Sequence, residues 1–169
     1  NDFGNFRQGI KSGIKFESAD ADGPYDSSED TKLAGWEIRL YEDANGNQQL
    51  EAGELTPVVT TTTADGSGAL GLGEYQFKLD PGDYIVCEED DSLADDYSQS
   101  YPATGVDCTA DATNAKWGYA FTITSGDVEN HRDNDFGNFR QGIKSGIKFE
   151  SADADGPYDS SEDTKLAGW

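Results

Sequence analysis

Trp36-Glu37-Ile38-Arg39-Leu40 decides the fold class. Apolar and charged side chains alternate, so in an extended chain Trp36, Ile38 and Leu40 share one face while Glu37 and Arg39 take the other. Tyr75, Phe77 and Leu79 repeat the device against Gln76 and Lys78. Outward from these two segments, similar alternations predict strands at residues 9–17, 56–63, 83–89, 117–124 and 134–140, and no sustained helical period interrupts them. Turn chemistry separates the strands. Asp65-Gly66-Ser67-Gly68 and Asp80-Pro81-Gly82-Asp83 supply positive φ at glycine and a preset φ at proline. The four threonines Thr60 to Thr63 suit a pleated surface and offer hydroxyls for O-glycans. The expectation is an all-β sandwich of about seven to eight strands.

Residues 1–36, NDFGNFRQGIKSGIKFESADADGPYDSSEDTKLAGW, return without a change as residues 134–169, a period of 133 residues (134 minus 1). Self-similarity at a fixed period marks a repeat architecture, and a unit of this size can bury its own core. One domain per period is expected. The break falls just before a last-strand pattern, DFGNF. Residues 1–8 are therefore read as the last strand and junction of a preceding repeat, 9–139 as a complete domain, and 140–169 as the start of the next, identical to 7–36. The passage Asn138-Phe139-Arg140-Gln141-Gly142 has no long Pro or Ser linker, which implies limited swing. Two strands in the second copy cannot bury a core alone. They either belong to the next domain of a continuous chain or are donated to a neighbouring molecule as an added strand.

Thirty-four acidic residues against 12 basic give a formal charge of −22. That balance excludes nucleic acid and anionic membrane surfaces as partners, since both need a basic footprint, and no stretch has the length and apolarity of a membrane span. Eight Phe, eight Tyr and three Trp argue for a packed fold over a disordered acidic chain. The acids are then solvated, as on a salt-adapted surface, or hold cations. Cys87 and Cys108 lie within one period. A disulfide between them would close a loop of about 20 residues and place the chain in an oxidising, extracellular setting; two reduced core thiols are the alternative.

Calcium takes six to eight hard oxygens, and a twelve-residue loop can supply them from positions 1, 3, 5, 7, 9 and 12. DANGNQQLEAGE offers Asp43, Asn45, Asn47, the Gln49 carbonyl, Glu51 and Glu54, with Gln48 where glycine usually makes the bend. SADADGPYDSSE offers Ser18, Asp20, Asp22, the Pro24 carbonyl, Asp26 and Glu29, with Gly23 at the bend and Ser18 in place of a first carboxylate. Its copy is Ser151, Asp153, Asp155, Asp159 and Glu162. Solvated turns rich in Asp and Asn are the plainer alternative. If the first strand runs from one end of the domain to the other, the Ser18 loop follows it at the exit end and the Asp43 loop lies at the opposite end.

The order Gly13-Ile14-Lys15-Phe16-Glu17, acidic loop, Leu33-Ala34-Gly35-Trp36, second loop closing on Glu51-Ala52-Gly53-Glu54, Thr63-Ala64-Asp65-Gly66, Tyr75-Gln76-Phe77, Pro81-Gly82-Asp83-Tyr84-Ile85-Val86 and Asp135-Phe136-Gly137-Asn138-Phe139 resembles the SdrD B-like, Cna-B-type repeats of bacterial surface proteins. The resemblance covers nearly the whole period. It implies an immunoglobulin-like or prealbumin-like sandwich that binds Ca2+ in the two loops and serves as a spacer or fibre unit at the cell surface. Ser18, Gln48 and the two cysteines depart from that pattern. Some Cna-B domains also form an internal Lys to Asn isopeptide bond promoted by a buried acid, for which Lys15, Glu88 and Asn138 are the candidates. Alternation turns Glu88 to the side of Tyr84 and Val86, and it turns Lys15 opposite Ile14 and Phe16, away from the expected core.

The functional expectation is a structural link in an extracellular calcium-stabilised stalk or filament, with neighbouring repeats or subunits as its partners. Catalysis is not expected. The sole histidine, His131, lies between Asn130 and Arg132 with no nucleophile or acid tied to it, and the abundance of carboxylates removes the specificity of any one pair. The rival reading is an adhesin module that grips host protein or polysaccharide through Trp117, Tyr119, Tyr97 and Tyr101.

Overall fold

A computed structural model describes residues 4–90, 97–127, 133–142, 144–154 and 156–168. Regular structure among them is entirely β, as the alternations require. One sheet is centred on β1 (Gly9–Glu17). β5 (Glu74–Leu79) pairs with its first part and β2 (Thr31–Lys32) with its last two residues, both antiparallel. β10 (Phe136–Arg140) runs parallel to β1, from Lys15 opposite Phe136 to Glu17 opposite Asn138, and carries β7 (Tyr97–Tyr101) at its outer edge. The second sheet is wholly antiparallel, in the order β4 (Val59–Thr62), β3 (Glu37–Glu42), β6 (Gly82–Glu88), β9 (Trp117–Ile123), β8 (Val106–Asp107). A separate hairpin pairs β11 (Phe149–Glu150) with β12 (Thr164–Lys165).

Both deciding segments face the core as their alternation demands. Trp36, Ile38 and Leu40 meet Tyr75, Phe77 and Leu79, with Val86, Tyr97, Ile123 and Phe136 filling the space between the sheets. Each such side chain contributes roughly 1.5–3 kcal/mol by leaving water. The outer face of the second sheet is covered too. Tyr41, Ile85 and Cys87 pack with Leu50 and Val106, and a Cys87–Cys108 disulfide, with Cα atoms 6.2 Å apart, ties β6 to the residue after β8.

One expected orientation is wrong. Lys15 points into the core and is fully buried. Along β1 the inward series is Gly9, Lys11, Gly13 and Lys15, while Ile10, Ser12 and Ile14 are only half-buried. The reason is space: a Cβ on Gly13 would lie under 3.0 Å from the Asn134 carbonyl and the Tyr75 ring, and one on Gly9 equally close to the Asp127 carbonyl and Ile123. The inner face of β1 thus alternates glycine with lysine stems, whose amines lie 4.0 Å from the Phe121 ring centre for Lys11 and 4.2 Å from that of Trp36 for Lys15. Phe16 is buried from the other side, under Tyr25 and Tyr101 at 5.5 and 6.4 Å between ring centroids.

The two acidic loops sit at opposite ends. Asp43 N–H donates to the Asp83 carbonyl, at the end where Gly82 pairs with Ile123 and the chain enters β1. Ser18 N–H donates to the Asn138 carbonyl at 2.7 Å, at the end where β10 leaves. No helix among the described residues is long and apolar enough to cross a membrane.

Candidate functional site

Three polar side chains meet the core between the sheets. Lys15 Nζ lies 2.6 Å from Glu88 Oε2, and neither side chain has any solvent exposure. Register places Asn138 on the strand beside β1 and on the same face as Phe136, and it is also buried. Glu88 Oε1 and Asn138 Oδ1 are each buried with no hydrogen-bond partner. Burial pushes the Glu88 carboxyl up to about 7, against the opposing charge and hydrogen bond of Lys15. Burial also lowers the Lys15 amine, against the pull of Glu88. Burial disfavours the charged form of each group, and their contact at 2.6 Å opposes that in both. An amine, a carboxyl and a carboxamide are thus all buried, on β1, β6 and β10.

The Ser18 loop is built from its own hydrogen bonds. Ser18 Oγ accepts from Ala21 N–H at 3.1 Å, and Ala21 takes the left-handed conformation (φ 62°). Asp30, absent from the expected ligand set, braces the loop: its two carboxylate oxygens accept from Ala19 N–H and Asp26 N–H at 3.0 and 2.8 Å. Asp26 accepts from the N–H and hydroxyl of Ser28, and these bonds lower its carboxyl. Pro24 is exposed between them. This leaves Asp20, Asp22 and Glu29, whose carboxylate oxygens converge to within 4.8 Å of one another. Two of the three are raised: Asp22 first by a side-chain hydrogen bond with Asp20 and then by its charge, and Glu29 chiefly by the charge of Asp20. Three hard oxygens gathered against their own repulsion fit a calcium ion, which would remove the cost.

The copy forms the same loop. Ser151 Oγ accepts from Ala154 N–H at 2.9 Å, Ala154 has φ 62°, and Asp163 braces Ala152 and Asp159 at 3.0 and 2.8 Å. Tyr158 lies on Phe149 at 5.4 Å as Tyr25 lies on Phe16. Asp153 and Glu162 are exposed. Asp155 lies outside the described residues, as does His131. The loop's shape is therefore encoded within its own residues.

The Asp43 loop differs. Asp43 is buried, and its carboxylate accepts from Asn47 N–H at 3.1 Å and Gln48 N–H at 2.8 Å. Asn45 and Asn47 accept from Asn47 N–H and Gln49 N–H, and Gln48 makes the bend itself with φ 61°. Glu51 accepts from Asn45 Nδ2 and Glu54 from Ala44 N–H, both at 2.9 Å, while Glu54 Oε2 is buried without a partner. Among the described residues, Asp20, Asp22 and Glu29 are the acidic trio that closes to ligand distance. The Ser18 loop thus gathers three carboxylates, whereas the Asp43 loop closes on one buried carboxylate with amide side chains and backbone around it.

The aromatics offered for an adhesin face are engaged inside the fold. Tyr97 is buried edge-on against Trp36 at 5.3 Å, Tyr119 meets Phe136 at 5.4 Å and donates to the Asp135 carbonyl, and Trp117 and Tyr101 are half-buried. Compared with models of known protein families and with curated proteins, the chain matches none.

Proposed function

We propose that this chain is a structural repeat of an extracellular, calcium-stabilised stalk or filament, related in kind to the SdrD B-like and Cna-B-type repeats, and that it is not an enzyme. One observation carries the reading: the first and last strands of the domain, β1 and β10, lie side by side and parallel. Tension in a head-to-tail array enters at Gly9 and leaves at Arg140. It slides one strand along the other and loads their slanted hydrogen bonds together. That geometry suits a link under load, and the acidic loops at the two ends would lie near its joints.

The buried trio supports a second element of the same function. Lys15 Nζ, unprotonated, attacks Asn138 Cγ; the new C–N bond forms as the bond from Cγ to Nδ2 breaks, Glu88 relays a proton from the attacking nitrogen to the departing one, and ammonia leaves. The resulting amide would join β1 to β10, so that load bypasses the rest of the domain. The intact chain is then lighter by one ammonia beyond the two hydrogens of the disulfide, and Glu88→Ala restores that mass.

The experiment for the function itself is imaging of the native assembly, with and without chelator. Domains spaced one per 133-residue period along a continuous thread, with a shorter persistence length in chelator, are expected. Isolated globular particles would overturn the reading.

A further inference from the structure

The duplicated sequence records one junction from both sides. Arg7 and Arg140 are the same residue of the repeat, one period apart (140 minus 133). At the entering end, the backbone of Arg7 is clasped: its N–H donates to Ser125 Oγ and its carbonyl accepts from Gly126 N–H, both at 2.9 Å. Gln8 Nε2 donates to Asp80 Oδ1, and Ile10 N–H to the Asp127 carbonyl. At the leaving end the side chain is clasped instead. The Arg140 guanidinium lies 4.7 Å from the centre of the Tyr97 ring and 3.8 Å from Glu17. It also lines a cleft of about 260 Å3 that contains Glu37 and Glu89.

We infer that Arg140 pins consecutive repeats together, its guanidinium held by the domain it leaves while its peptide group is held by the 124–127 turn of the domain it enters. The inference rests on the reading of the repeats as a head-to-tail array. The partner is a second copy of this domain, docked by its β1-entering end. The two grips use different atoms of one residue, so both can operate at once. Gln141 alone separates Arg140, which ends β10, from Gly142, the sequence counterpart of the Gly9 that opens β1. The charge is apt, because the guanidinium faces Glu17 where a second strongly acidic domain must approach, while Glu37 and Glu89 of the same cleft are already held by Arg39 at 2.6 and 2.9 Å. A cation stacked on an aromatic face at this exposure is a modest contact that acts by restricting angle.

The test uses a recombinant chain continued through a second complete repeat, with the inter-domain angle distribution measured by small-angle scattering and residual dipolar couplings. The parent is expected to show one narrow distribution. Arg140→Ala roughly doubles its spread while each domain's melting temperature stays put, and high salt moves the parent part of the way. Tyr97→Leu, which removes the ring and keeps the cation, loosens the joint less. A parent chain whose domains tumble independently, or an Arg140→Ala chain as stiff as the parent, overturns the pin. Failure of the array reading looks different: the two-repeat chain stays stiff, yet imaging of the native assembly finds no linear thread.

Discussion

Lys15 Nζ and Glu88 Oε2 lie 2.6 Å apart, and both side chains are wholly enclosed between the sheets. Removing one partner strands the other in low dielectric, which costs about 3–5 kcal/mol, whereas replacing both with apolar residues of similar volume costs far less. Lys15→Met and Glu88→Leu should each lower the urea midpoint sharply, and the double variant should recover the part of the loss that comes from the stranded partner, though not the part that comes from the missing Lys15–Asn138 amide. Additive losses in a double-mutant cycle would show that the pair is not coupled.

Lys11 predicts a pH dependence of its own. Its buried amine faces the rings of Tyr119 and Phe121, the former a phenol kept protonated by burial, and burial lowers it from 10.5 to about 7. Between those values the unfolded chain carries a proton that the folded chain has lost, so this group's contribution to stability rises with pH through that window and is flat below it. The slope is at most about 1.4 kcal/mol per pH unit. Lys11→Met should flatten the rise between pH 7 and 10 and stabilise the domain at pH 6 relative to the parent, measured by denaturant unfolding. An unchanged difference between the two proteins across that range would contradict it.

Calcium should stabilise the folded chain by about 2.7 kcal/mol at a hundredfold excess over its dissociation constant. Calorimetric melting with and without chelator reads this directly. Asp20→Asn with Asp22→Asn removes the response if the Ser18 loop holds the ion; Glu54→Gln removes it if the Asp43 loop does. Equal melting of parent and both variants in calcium and in chelator would refute metal binding in either loop.

Gly13→Ala should destabilise by about 1–3 kcal/mol, because the new methyl meets the Asn134 carbonyl and the Tyr75 ring with nowhere to move. Gly53→Ala, with nothing within 4 Å, is the matched control. Similar unfolding midpoints for the two would mean that the β1 face is looser than its contacts imply.

The strand pattern was legible wherever apolar and polar side chains alternate. Trp36, Ile38 and Leu40, and Tyr75, Phe77 and Leu79, point where their spacing says, and Glu88 follows Val86 inward. β1 was misread because polarity was taken as a proxy for direction. Its inner face carries glycines that admit close backbone and aromatic neighbours, and lysine stems that lie along rings. β7, Tyr97-Ser98-Gln99-Ser100-Tyr101, has no apolar alternation because it is an edge strand, and β2 and β8 are too short to carry a period. Asp30 went unseen for another reason: it braces the Ser18 loop through backbone amides, and ligand spacing does not register such a role.

The parallel pairing of β1 with β10 also solves a problem of address. β10 is followed almost at once by residues 142–150, a perfect duplicate of the β1 it must find, while the correct copy lies 121 residues back, as Lys15 opposite Phe136 shows. A parallel partner cannot follow directly in sequence, because the chain needs a dozen or more residues to cross back to the starting edge. The nearby duplicate could only fold back antiparallel, in the wrong register for every contact described. Strand direction thus separates the β1 that β10 pairs with from the identical sequence that directly follows it.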